Sequence, residues 1–214
     1  MRTCNSLYKN KLYFAGLLLL LLPLIFACSR GDQPPEQKTA GPAFNPYSGE
    51  SVFDEVQRKL KENPNDPEAL YHMADLYERN AQYKEAIDTY NKVLKIKPGS
   101  GYLYFKIGTA YNRMNQPAEA VTAFQSAIKH MPANAVAYNN MGIAYGKLNK
   151  PDKEIDALKK AIKLRPRYSS ARYNLGITYL KTGNKKEALK EYEALKDFDE
   201  GTAETLMKEI RKTP

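Results

Sequence analysis

The chain has 214 residues and a formal charge of +9 at neutral pH, long enough for one or two domains at roughly 150 residues each. It contains two histidines, two cysteines and no tryptophan beside 16 tyrosines, a stock that leaves little for metal or acid–base chemistry. Both cysteines, Cys4 and Cys28, precede the polar body of the chain, so no disulfide staples that body and packing must hold it together. Most of the positive excess lies after Lys147, where lysines alternate with Asp and Glu and form no long basic run. That pattern argues against nucleic-acid binding and reads as a solvated helical surface. It also suits an anionic lipid, a cell-wall polymer or an acidic partner.

The chain opens with a positive segment carrying Arg2, Lys9 and Lys11 and no acid. Residues 12–27 are apolar apart from Tyr13 and include six leucines in a row at 17–22, and Cys28 follows. A positive start, a short apolar run and a small residue before the break describe a secretory signal peptide. The run is short of the roughly 20 residues of a bilayer span, and Pro23 weakens it as a helix. The stretch Leu24-Ile25-Phe26-Ala27-Cys28 resembles the lipobox of bacterial lipoproteins, with Ala27 and Cys28 at its two most restrictive positions and Phe26 bulkier than usual there. That resemblance implies removal of residues 1–27, acylation of Cys28, and a periplasm-facing, lipid-anchored protein of the bacterial cell envelope. Ser29 leans toward the outer membrane rather than the inner. Acyl chains contribute about 0.8 kcal/mol per buried CH₂, so two or three hold a soluble domain on a membrane.

Residues 28–50 hold the lipidated cysteine and a tether rich in Pro, Gly, Gln and Ser, without apolar periodicity. Over residues 51–66, Val52, Phe53, Val56 and Leu60 mark one helix that ends at Pro64. Beyond it the chain repeats itself. Pro64, Pro98, Pro132 and Pro166 are 34 apart, as are Tyr77, Tyr111, Tyr145 and Tyr179, and Gly108, Gly142 and Gly176 share the step with Ala74. The units are residues 67–100, 101–134, 135–168 and 169–202. Counted from the first residue of a unit, positions 4, 7 and 11 form one apolar stripe, and positions 20, 24 and 27 a second. The small residue at position 8 is expected to let the two helix axes approach at the Ala of position 20, and the proline at position 32 to end the second helix. Pro117 and Pro151 suit first helical turns. Two residues break the stripes. Arg172 stands where Leu70, Tyr104 and Tyr138 occupy position 4, and Glu154 stands where Ala86, Ala120 and Ala188 occupy position 20. A buried, unpaired carboxylate is expensive, so Glu154 is expected to reach solvent or pair with Lys150, a local widening being the less favoured alternative. Residues 203–214 carry Ala203, Leu206, Met207 and Ile210 at helical spacing and read as a C-terminal capping helix.

A 34-residue step with these positions resembles the tetratricopeptide repeat, a helix–turn–helix unit whose copies bury their apolar faces by stacking. The implied fold is all-α: a solenoid of about four helix pairs, a preceding half-repeat helix and a capping helix. The resemblance implies a protein-interaction scaffold, monomeric because capped, that takes a peptide or protein partner in its concave groove. Assembly of envelope complexes, or of a type IV pilus secretin, is the more specific expectation. Helix-A positions 2, 5, 6, 9 and 12 line the groove in this family, and the candidate contact residues are Tyr71, Asp75, Tyr102, Phe105, Lys106, Asn139, Asn140, Tyr173 and Asn174. Aromatics among them bury much area at low entropic cost. Chaperone-binding members hold a terminal carboxylate with Lys at position 5 and Asn at position 9 of the first unit. Here those positions are Tyr71 and Asp75, so that clamp is absent.

No G-x-S-x-G, phosphate loop or Cys-x-x-Cys occurs, so neither an enzyme nor a cofactor is expected. His72 lies near Glu68 and Asp75 at helical spacing, which keeps a metal-binding or enzymatic module there as one alternative. A self-assembling structural repeat protein is another.

Overall fold

The computed structural model describes residues 50–213; the leader, Cys28 and the tether lie outside them. Ten helices and no strand occur among the described residues: α1 (Glu50–Glu62), α2 (Pro67–Arg79), α3 (Tyr83–Ile96), α4 (Gly101–Arg113), α5 (Pro117–His130), α6 (Ala135–Lys147), α7 (Pro151–Leu164), α8 (Ser169–Lys181), α9 (Lys185–Lys196) and α10 (Glu200–Lys212). None is long and apolar enough to cross a membrane. Each helix packs on the next, and α10 packs on both α8 and α9.

Local chemistry sets the ends of these helices. The side chains of Asp66, Ser100 and Asn134 accept backbone N–H groups at the starts of α2, α4 and α6, and Asp199 does so for α10. Such caps stabilise by about 1 kcal/mol each. Helices α5 and α7 begin on Pro117 and Pro151 and have no side-chain cap. At the turn inside each unit, position 15 has positive φ: Ala81 (58°), Asn115 (55°), Asn149 (54°) and Gly183 (76°). The following residue's N–H then donates to the carbonyl of the position-11 tyrosine, from Gln82 to Tyr77, Gln116 to Tyr111, Lys150 to Tyr145 and Asn184 to Tyr179. This bond closes the last turn of the helix by satisfying an orphan carbonyl.

Positions 7, 20, 24 and 27 are buried in most units, while the position-11 tyrosines of units 1 to 3 and Tyr104 and Tyr138 at position 4 are half-buried. Positions 3 and 10 of α4, α6 and α8 are buried as well, occupied by small or apolar residues such as Ala137, Ala144 and Ala171. These helices lie between two neighbours and bury more than one stripe. Position 8 is tighter against position 24 than against position 20. A Cβ on Gly108 would stand 2.7 Å from Phe124, and one on Gly142 2.9 Å from Leu158, with the Glu154 carbonyl oxygen next at 3.4 Å. Unit 4 differs, because the side chain over Gly176 is Leu206 of α10, and Tyr192 at position 24 is only half-buried. Arg172 keeps its place through charge: it donates to Glu191 of α9 at 2.7 Å and to the Pro166 carbonyl at 3.0 Å. At the other end α1 covers Ala69 and Met73 with Phe53, Val56 and Leu60, while Val52, expected to join them, is 47% exposed.

Candidate functional site

Helix α4 touches α6, and α6 touches α8, whereas the intervening helices α5 and α7 have no comparable contact. The first helices of the units therefore converge, and their free side is the inner face of the stack. All nine groove candidates lie on these helices, and the structure sorts them into three regions.

At the N-terminal end a charge cluster joins units 1 and 2. Lys106 Nζ lies 3.1 Å from Asp75 Oδ1 and 2.6 Å from Glu78 Oε2. Arg79 holds the other Asp75 oxygen at 2.8 Å, and the buried Tyr90 hydroxyl donates to Glu78 at 2.8 Å. Burial alone would lower the Lys106 pKa, but hydrogen bonds to Glu78 and Asp75 more than offset it and the ammonium is held charged. Lys106 and Asp75 thus satisfy each other and join neighbouring units. Tyr71 and Tyr102 stand beside this cluster with rings 6.4 Å apart. Burial, the Tyr102 neighbour and the Asp75 charge push the Tyr71 hydroxyl up to about 12. Tyr102 is 47% exposed and presents an open ring. Around His72, the centre of the metal alternative, both Asp75 oxygens are engaged by Lys106 and Arg79, His72 Nε2 lies 3.9 Å from Glu68, and no group of three ligating side chains gathers among the described residues.

In the middle an amide ladder crosses three units. Asn174 Nδ2 donates to Asn139 Oδ1 (3.1 Å), Asn139 Nδ2 to Asn140 Oδ1 (3.2 Å), and Asn112 Nδ2 to the Asn140 carbonyl oxygen (3.3 Å). Lys147 Nζ adds a bond to the Asn112 carbonyl oxygen (3.0 Å). Asn139 is buried, and Asn112 Oδ1 is buried without a partner. Buried amides are costly unless bonded, so most of this ladder sets the register of the stack. Phe105 leans on Phe124 with ring centres 6.0 Å apart and is half-buried.

The open space lies at the C-terminal end. A cavity of ≈ 320 Å³ is lined by α6, α7 and α8, and one of ≈ 530 Å³ by α8 and α10. Tyr173 and Asn174 line both, which makes one trough with an aromatic ring and an amide on the ridge between its halves. Ser170, Thr202 and Thr205 supply hydroxyls to the larger half, and Ile143, Ile177 and Glu154 line the smaller. A sequence reading of α10 as a solvating cap misses its part in the trough. The signal was its spacing after α9, which puts it where the first helix of a fifth unit would stand.

Glu154 corrects an expectation. It neither reaches solvent nor pairs with Lys150; it is only 7% exposed and sits in the first turn of α7. Room for it comes from Gly146, where a Cβ would lie 2.7 Å from both carboxylate oxygens. Burial raises its pKa, and the nearby Thr178 hydroxyl and the Lys181 charge only partly oppose that. The Thr178 hydrogen is directed at the Asn174 carbonyl oxygen (2.8 Å).

A family model described as the N-terminal TPR repeats region of Psidin matches residues 69–196, more than half of the chain. No curated protein matches. Among solved structures, MamA from Desulfovibrio magneticus RS-1 is 25% identical with a TM-score of 0.67, over 72% of this chain and 89% of that one. YrrB, a TPR protein with an unusual peptide-binding site, is 24% identical with a TM-score of 0.63, over 74% and 86%. The first TPR of Spaghetti (RPAP3), bound to an HSP90 peptide, is 23% identical with a TM-score of 0.53, over 55% and 93%. With its 34-residue step, paired helices and stacked core, the chain belongs to the tetratricopeptide-repeat family.

Proposed function

We propose that this chain is a lipid-anchored scaffold of the bacterial envelope, held to the membrane through acylated Cys28, that docks an extended segment of a partner protein on the inner face of its repeats. The observation that carries this reading is the trough shared by Tyr173 and Asn174, an open concavity on the face where the helices converge. Its lining is mixed: aromatic and aliphatic walls for side chains, and hydroxyls and an amide for backbone groups. Such surfaces hold peptides by a few anchors and a satisfied polar rim. Two structural neighbours are described as binding peptides, which supports this use of the face. At the other end of the face, the charges of Asp75, Glu78 and Lys106 are paired with one another, which leaves the trough as the open part of the surface.

The lipobox-like segment and the tether that follows it support a position at the membrane, with the repeats facing the periplasm and the outer membrane favoured over the inner. Work on envelope assemblies, such as the secretin of a type IV pilus, fits a monomeric scaffold on a short leash.

A photoreactive residue placed at Tyr173 tests the reading in intact cells, with one at Lys160 on the opposite side as control. Capture of one defined partner from position 173 and not from 160 is expected; the reverse pattern refutes the groove. Metabolic labelling with an alkyne fatty acid should mark the protein and fail on Cys28→Ser. A mature chain still carrying residues 17–22 refutes the anchor.

A further inference from the structure

Among the inner-face carboxylates, Glu78 and Glu154 fill corresponding places, and the first shows what the second lacks. Glu78, at position 12 of unit 1, meets Lys106, at position 6 of unit 2, at 2.6 Å. In unit 3 position 12 is Gly146, and the carboxylate that fills its place is Glu154, rising from the second helix. The residue that corresponds to Lys106 in unit 4 is Asn174, which is neutral. Where the lysine stem would run there is instead the ≈ 320 Å³ cavity, with Glu154 and Asn174 in its lining. Glu154 is more than nine-tenths buried, and no Lys, Arg or His nitrogen lies within 4.0 Å of it among the described residues. Lys147 and Lys181 also border the cavity, but Lys147 is turned to the Asn112 carbonyl oxygen and Lys181 is an exposed side chain at the rim.

We infer that Glu154 is the receptor for a lysine or arginine side chain of the segment docked in the trough. The cation would take the position that Lys106 takes against Glu78, and its methylenes would lie on Ile177 and Tyr173. A buried carboxylate without a counter-charge is costly; a cation delivered by a ligand removes that cost, so the site selects a basic residue there over a neutral one. This inference rests on the inner-face docking proposed above and assigns the chemistry of one subsite within it.

The test uses n-propylguanidinium chloride as probe and neutral n-propylurea as its control, with the protein ¹³C-labelled at glutamate and the Glu154 carboxyl signal assigned by its loss in Glu154→Gln. Propylguanidinium should move that signal saturably and lower its titration midpoint, and propylurea should leave it unmoved. Association, followed by calorimetry, should weaken roughly tenfold or more in Glu154→Gln, as for loss of one hydrogen bond to a charged group. Asn174→Lys, which restores the missing lysine in the chain itself, should exclude the probe. A Glu154 signal indifferent to propylguanidinium overturns the proposal, and so does one that responds only in Lys181→Ala, because Lys181 would then be the resident partner. Since the probe is a small molecule, this result is independent of the crosslinking. A bound probe with no partner captured at position 173 would sink the docking reading alone. A captured partner with a silent Glu154 would sink the subsite alone.

Discussion

Leu206 closes the stack, and truncating it to alanine tests how the C-terminal helix is seated. The side chain is fully buried, and its Cδ2, Cδ1 and Cγ lie 2.7, 2.9 and 3.3 Å from where a Cβ on Gly176 would stand. Leu206→Ala removes three carbons, worth about 2.4 kcal/mol at about 0.8 kcal/mol each. The void left behind adds to this, because Gly176 has no side chain with which to fill it. The cost should therefore lie in the upper half of the usual range, about 4 kcal/mol. Gly176→Ala alone gains about 1 kcal/mol of helix propensity and loses about 1–3 kcal/mol to overpacking against Leu206. In the double variant the new methyl enters the void, so both its propensity and its burial are gained, and stability should recover by about 2 kcal/mol relative to Leu206→Ala. A double-mutant cycle from urea unfolding followed by circular dichroism measures this coupling. Hydrogen exchange should show faster opening in α8–α10 with units 1 and 2 little changed, because each repeat leans only on its neighbours. A cost below about 1 kcal/mol for Leu206→Ala would mean that α10 is not docked. Strict additivity would mean that the two residues do not share a volume.

Lys106→Met leaves Asp75 and Glu78 facing each other without their shared cation and should cost about 3 kcal/mol in urea unfolding; Glu78→Gln added to it should restore part of the loss. Ala81 adopts a φ of 58° that costs an L-residue about 1 kcal/mol, so Ala81→Gly should be neutral or stabilising by up to that amount, where a glycine in a helix interior would be harmful. Glu154 has a folded-state pKa above its ordinary 4.5. Its ionisation therefore opposes folding at neutral pH, and the opposition fades as pH falls from the raised value toward 4.5. Glu154→Gln should accordingly raise the urea midpoint at pH 7.5, and its advantage over the natural protein should shrink by pH 4. An advantage that grows on acidification refutes the sign.

The architecture was legible because burial recurs with the repeat. Residues that are equivalent in four stacked units meet equivalent neighbours, so Tyr77, Tyr111, Tyr145 and Tyr179 announce helices and their stacking together. The repeat pattern alone does not single out the caps Asp66, Ser100 and Asn134, which stand immediately before the first helices of units 1 to 3. The chain ends were harder to read, since the end units lack a neighbour on one side. Leu206 takes over the place that Phe124 and Leu158 fill in units 2 and 3, and Tyr192 is displaced to a half-buried position.

The candidate groove was legible as a list of positions but not as a set of available groups. Lys106 and Asp75 occupy groove positions and spend their charges on each other; Tyr173 occupies one and faces open space. Pairing across 31 residues of sequence is invisible to a pattern that compares a position only with its own copies. Glu154 shows the same limit most sharply. Taken alone it is a fault in an alanine ladder, as Gly146 is a gap among Glu78, Asn112 and Leu180. In three dimensions positions 12 and 20 touch, and the two departures are one exchange: the bulk lost from the first helix at Gly146 returns from the second at Glu154. Packing conserves volume over the contacting pair rather than at each position separately. The exchange also carries a charge with it. An alanine at position 20 with a side chain at position 12 would have filled the same space without burying a carboxylate, so close packing accounts for the shape of this contact and leaves its acidity to be explained by what the trough binds.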